Sequence, residues 1–144
     1  MRLVRIGWES WDVLAVCDAR GRCQVIDFLR EFREFSPATA RSMLALLRID
    51  LPASGPPKSE PLCKPLGNGI YELRKQPKGR KLRVVWFYGT GPVVVCTYAF
   101  TKAERTPQIR IEQSRLLRKQ YFSAVARREI EIIELEELGL WIPR

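Results

Sequence analysis

Three stretches decide the fold: GIYELRKQ (Gly69–Gln76), KLRVVWFY (Lys81–Tyr88) and VVVCTYAFT (Val93–Thr101). Each is rich in β-branched and aromatic residues, and turn chemistry divides them, Lys78-Gly79 first and Gly89-Thr-Gly-Pro92 second. Together they predict an antiparallel meander. A two-residue turn at Lys78-Gly79, where glycine tolerates positive φ, sets its register: Pro77 opposes Arg80, and Arg74 opposes Arg83. Directly opposed side chains share a face at about 5 Å between Cβ atoms, where like charges repel. Either an anion sits between the two arginines, or they splay into water, or the register differs. Glu72 falls on the same face by strand alternation and can hold one arginine in position.

Upstream, Leu51 to Pro65 holds five prolines with Ser54, Gly55 and Ser59, a composition that resists helix and sheet and reads as a linker over 51–65. Before it, Val25, Phe28, Leu29 and Phe32 recur at helical spacing from Gln24, and Ser36-Pro37 closes that element. Ser36 also suits the N-cap of a second helix with Pro37 at its first position, running through Met43, Leu44 and Leu47 towards Leu51. The two helices form a hairpin. Trp8 to Cys17, followed by the turn residues Asp18-Ala-Arg-Gly21, reads as an initial strand.

Downstream, Thr106 as N-cap and Pro107 at the first helical position open a third helix through Leu116, Leu117, Phe122 and Val125. The acidic continuation over 129–144 extends that helix into solvent, in preference to folding back over the basic residues. The whole chain, 1–144, is read as one α+β domain, since 144 residues at 46% hydrophobic content bury one ordinary core.

The formal net charge of +9 is unevenly spread. Residues 1–73 are nearly balanced, with 10 Lys/Arg against 9 Asp/Glu, whereas 74–128 carry 14 Lys/Arg against only Glu104 and Glu112. Such a block favours a phosphate-rich partner, nucleic acid first. No run reads as a signal peptide, and the uncharged stretch Val84 to Thr101 is broken by Gly89 to Pro92, so a membrane is not expected. Histidine is absent, which removes the commonest general base, the serine-type triad and the usual mixed zinc sites. No phosphate-cradling glycine motif occurs, so no nucleotide cofactor and no metal are expected. Cys17, Cys23, Cys63 and Cys96 lack C-x-x-C spacing and fit buried thiols in a reducing cytoplasm, although Cys17 and Cys23 flank a turn and can face each other.

Three pieces stand in order: Lys64-Pro-Leu-Gly-Asn-Gly-Ile-Tyr-Glu-Leu-Arg74, then Leu82-Arg-Val-Val-Trp-Phe87, then Ala99-Phe-Thr-Lys102 with Arg105-Thr-Pro107. This order resembles the phage-derived branch of the HigB/RelE toxins over residues 64–115, and the two N-terminal helices match that family's layout. The resemblance implies a RelE-like fold: an antiparallel sheet with an N-terminal helical hairpin and a C-terminal helix. It also implies a type II toxin that acts as a ribosome-dependent messenger RNA endonuclease, without metal or other cofactor, with a helix-turn-helix antitoxin as partner. Carried over by position, Arg74 and Arg83 form the phosphate site with Lys102 beside them. Arg105 corresponds more loosely, because the loop before Thr106-Pro107 is one residue shorter than the family pattern.

RNA cleaves itself when a 2′-OH attacks the neighbouring phosphate, and an enzyme speeds this by orienting the backbone and stabilising charge on phosphorus. Two guanidiniums can clamp non-bridging oxygens, which assigns Arg74 and Arg83 to transition-state stabilisation. Lys102 or Glu72 serves as acid or base. RNA contact extends to Arg80, Lys81 and Arg105, and a basic helix through Arg110, Arg115, Arg118 and Lys119 either binds RNA as well or is the solvated side of an amphipathic helix. Tyr71, Trp86, Tyr88 and Tyr98 can stack bases but in such strands are more often core. The rival reading is a catalytically silent relative that acts on DNA gyrase, or a phage protein that binds nucleic acid without cutting it.

Overall fold

The computed structural model describes residues 1–58, 62–75, 81–101 and 106–138. Its centre is the expected meander: β4 (Ile70–Lys75), β5 (Leu82–Tyr88) and β6 (Val93–Thr101), each antiparallel to the next. The Lys78-Gly79 turn lies outside the described residues, yet the ladder on either side holds the register expected of it, Arg74 opposite Arg83. Val85 and Trp86 are offset by a bulge in β6. There the extra residue, Thr97, donates its hydroxyl to the Val85 carbonyl at 3.1 Å and meets the Ser114 hydroxyl at 2.7 Å.

The rest of the sheet departs from the sequence reading. Trp8 to Cys17 is not one strand; β1 (Arg2–Trp8) and β2 (Asp12–Val16) form an antiparallel hairpin that precedes the helices. The chain therefore does not begin with a helical hairpin. That hairpin follows as α1 (Gln24–Phe35) and α2 (Pro37–Ala45), with Pro37 at the start of α2 as expected, and α2 runs on through a π turn at Leu46–Asp50. The proposed linker over 51–65 is partly regular: Leu51–Ser54 is a short helix, α3, and β3 (Cys63–Gly67) pairs with β4. The β3–β4 turn is Asn68-Gly69, both at positive φ (56° and 78°), the conformation a tight two-residue hairpin requires.

After the meander comes α4 (Gln108–Ala126). Pro107, not Thr106, occupies its cap position, because the Thr106 hydroxyl is engaged elsewhere. Nor does the acidic continuation stay helical. The Glu129 N–H donates to the Ala124 carbonyl at 2.8 Å and the Arg128 N–H to Val125 at 3.1 Å, while Arg128 takes φ 59°, a left-handed closure that turns the chain out of the helix. It then forms β7 (Glu131–Glu134), parallel to β1, and a 3-10 turn at Leu135–Leu138. Among the described residues the sheet has seven strands in the order β3-β4-β5-β6-β2-β1-β7, with only β2–β6 and β1–β7 parallel.

Each face of the sheet carries its own core. Val4, Val13, Leu73, Val84 and Trp86 pack against Val25, Ile26, Leu29, Met43 and Leu47 of α1, α2 and the π turn. The opposite face sets Leu3, Leu14, Ile70, Val85, Phe87 and Val95 against α4, where Leu117, Tyr121 and Val125 recur at helical spacing. A fully buried leucine or valine contributes roughly 1.5–3 kcal/mol, so these two layers fix which face of β4 and β5 lies under α4. All four cysteines are free, buried thiols.

Candidate functional site

Register and alternation put Glu72, Arg74 and Arg83 on the α4 side of the sheet, at the ends of β4 and β5. The two guanidiniums converge on one carboxylate. Glu72 Oε1 accepts from Arg74 Nε at 2.7 Å and from Arg83 Nη1 at 3.1 Å, and Glu72 Oε2 accepts from the Thr106 hydroxyl. The anion that the opposed arginines call for is thus supplied from within the chain. A carboxylate with no solvent exposure needs such partners, since an isolated buried charge is costly.

The two arginines are not equivalent. Arg83 is 1% exposed, whereas the Arg74 side chain keeps 16%. Arg74 donates to Glu72 through its Nε, and Arg83 is the more deeply buried of the two. Phe100, directly opposite Arg83 on β6, and Thr106, which leads into α4, complete the surroundings. Neither was among the sequence candidates. Thr106 carried a signal only as a capping residue, and its true partner lies 34 positions away.

Of the other candidates, Arg80, Lys102 and Arg105 lie outside the described residues. Lys81 is half-buried at the start of β5. On α4, Arg110 stacks over the Tyr98 ring at 4.5 Å and donates to Gln113 at 3.1 Å. Arg115 pairs with Glu112 at 3.2 Å, Arg118 lies over Phe122 at 5.0 Å, and Lys119 is exposed. Three of these four cations are therefore tethered along the helix. The aromatics divide between the faces. Tyr71 stacks on buried Trp86 at 4.8 Å, and Tyr88 meets both edge-on, all on the face opposite the arginine pair. Only Tyr98, under Arg110, shares the α4 face. Burial, with its neighbour Tyr71, raises the Tyr88 hydroxyl above its ordinary range.

A pocket of about 500 Å³ opens elsewhere, between the start of α1 and the ends of β2 and β6, lined by Cys17, Gln24, Phe28, Tyr98 and Leu117. Gln24 holds that junction by a two-way bond to the Ala99 backbone, 2.8 Å in each direction. Among the described residues no helix is long and apolar enough to cross a membrane.

A mixed α+β sheet domain with a basic helix over a carboxylate-anchored arginine pair is, by its family match, of the RelE/HigB-like toxin class. Residues 30–134 match the family model described as phage derived protein Gp49-like (DUF891), and the chain belongs to that family. The match starts within α1 and stops at the end of β7, leaving the β1–β2 hairpin outside it. No curated protein matches the sequence. Membership in a toxin-like family carries with it a toxin–antitoxin context and a cognate antitoxin as partner.

Proposed function

We propose that the chain is the toxin of a type II toxin–antitoxin pair that works in the cytoplasm as a HigB-type messenger RNA interferase, cutting RNA on the ribosome without metal, and is restrained by a helix-turn-helix antitoxin. The observation that carries this reading is the Arg74–Glu72–Arg83 cluster. Glu72 fixes Arg74 through Nε, which leaves the forked end of that guanidinium to grip the non-bridging oxygens of a phosphodiester. As the ribose 2′-OH attacks, charge grows on those oxygens, and a donor already held in place stabilises it without reorganising. Glu72, with both oxygens engaged by three donors, acts as the positioning residue, and Arg83 backs it from below. Lys102 is the proton-transfer candidate. Arg80, Lys81 and Arg105 border the same strand ends in sequence, and Arg110, Arg115, Arg118 and Lys119 extend the cationic surface towards ribosomal RNA.

The test is induction of the wild type and of Arg74→Ala in a growing bacterium, with transcript 5′ ends mapped. Cleavage phased to codons in the wild type, reduced on the order of 100-fold in the variant, is expected if precedents for lost oxyanion donors transfer. Identical ends and equal toxicity would refute the site. A second reading draws on the burial of Arg83, which takes one arm of a two-arginine clamp away from solvent. It makes the chain a non-cutting relative acting on DNA gyrase or binding nucleic acid, and its signature is DNA-damage signalling with intact transcripts.

A further inference from the structure

Cys17 directly follows β2 and Cys23 directly precedes α1, and the two pair across an isolated antiparallel bridge. The adjacent pair carries the backbone hydrogen bond, Asp18 N–H to Arg22 carbonyl at 2.8 Å, so the cysteines occupy the non-hydrogen-bonded site. Facing Cα atoms at such a site stand about 4.5 Å apart with their side chains drawn together. Disulfides span about 4.4–6.8 Å between Cα atoms, so closure needs no rearrangement of the strands. The intervening turn is already tied: Asp18 Oδ1 accepts from the Arg20 and Arg22 N–H groups at 2.9 Å each, and the Gly21 N–H donates to the Asp18 carbonyl at 3.0 Å.

The two sulfurs are chemically unequal. The neighbouring Cys23 thiol lowers the Cys17 pKa against the opposing effect of burial; Arg2 adds to the lowering, and Asp18 and Asp27 oppose it. The Cys17 neighbour, with burial, raises Cys23. Cys17 also borders the 500 Å³ pocket, while Cys23 has no exposure. By contrast Cys96 is pushed up to about 12 by burial, and burial raises Cys63 as well. A thiol that borders a pocket and is shifted down, beside a fully buried one that is shifted up, fits the division of labour of an attacking and a resolving cysteine.

We propose that Cys17 and Cys23 are a reversible redox pair whose co-substrate is a hydroperoxide. The Cys17 thiolate attacks the terminal peroxide oxygen, the O–O bond breaks, and the departing alkoxide or hydroxide leaves as alcohol or water after taking a proton. Cys17 is then a sulfenic acid. The Cys23 sulfur attacks the Cys17 sulfur, the S–O bond breaks, and the leaving hydroxide takes the Cys23 proton as water. Two thiols have been oxidised to one disulfide and one peroxide reduced. A dithiol reductant reverses the change. Both cysteines lie outside the stretch matched by the family model.

Trypsin gives a direct test, because Arg20 and Arg22 lie between the two cysteines. The reduced full chain is treated with one equivalent of hydrogen peroxide, its remaining thiols are alkylated, and the digest is mapped by mass spectrometry. The expected product joins residues 6–20 to residues 23–30, with the titratable thiols falling from four to two and dithiothreitol separating the peptides. In Cys23→Ala the reaction stops at a Cys17 sulfenic acid that a 1,3-diketone traps. Should the wild-type peptides emerge unlinked and alkylated from protein with a native circular dichroism spectrum, the proposal is overturned. Linkage through Cys63 or Cys96 at comparable yield overturns it too. If Cys23→Ala does not fold, the wild-type map decides alone.

Discussion

Glu72 is the residue on which the candidate site turns. It receives Arg74, Arg83 and Thr106, from β4, β5 and the approach to α4, on a side chain with no solvent exposure. Removing it leaves the buried guanidinium of Arg83 without its Glu72 carboxylate, a change that costs about 3–5 kcal/mol where buried pairs have been broken. Glu72→Ala is therefore expected to lose that much in chemical denaturation, and a variant within about 1 kcal/mol of wild type would show that the cluster is not structurally coupled. Replacing both members with apolar residues of similar size, Glu72→Leu with Arg83→Met, should recover much of the loss, since well-packed apolar residues can stand in for a buried ion pair at little cost. The facing arginines were legible in the sequence because a two-residue turn and strand alternation fix which side chains meet. Their burial was not. Arg83 faces Phe100 on β6 and shares Glu72 with Thr106, contacts that no local pattern announces.

Among the elements, the legible ones are those whose pattern is local. β4, β5 and β6 carry dense β-branched and aromatic runs between turn residues, and α1 and α2 have apolar spacing with Ser36-Pro37 between them. The less legible ones depend on a partner far away. β7 reads EIIE within a glutamate-rich tail, a composition at home in a helix, and becomes a strand because β1 offers it a parallel edge. β3 lay within a proline-rich stretch, although Asn68-Gly69 carried the hairpin signal for it. The end of α4 is set by Arg128, a non-glycine residue in the left-handed region, where a Cβ costs roughly 1–2 kcal/mol. Arg128→Gly should accordingly raise stability by about 1 kcal/mol with an unchanged circular dichroism spectrum. A loss of stability instead would mean that the Arg128 side chain contributes more than its backbone conformation costs.

For the molecule as a whole, the sheet order separates the charges. β7 stands four strands from β5, roughly 19 Å at the usual spacing between neighbouring strands. Its acids are engaged locally: Glu131 pairs with Arg2 at 3.3 Å, and Arg5 bridges Asp12 and Glu134. At physiological ionic strength the screening length is about 8 Å, so Glu131 and Glu134 neither cover the arginine pair nor weaken its field appreciably. The basic surface of α4 has no such distance from the α4 face of the sheet. If RNA lies along it, each lysine or arginine that neutralises a phosphate releases counterions, and the slope of log affinity against log salt falls in magnitude by about 0.7 for each single-strand contact removed. The double variant Arg118→Ala, Lys119→Ala should thus weaken binding of a single-stranded RNA oligonucleotide across all sequences and flatten its salt dependence by about 1.4 in slope, two such contacts. The double variant Glu131→Gln, Glu134→Gln should leave both quantities unchanged. If the acidic pair instead tightens binding on neutralisation, the C-terminal strand shields the cationic surface, and the separation read from the sheet order does not govern recognition.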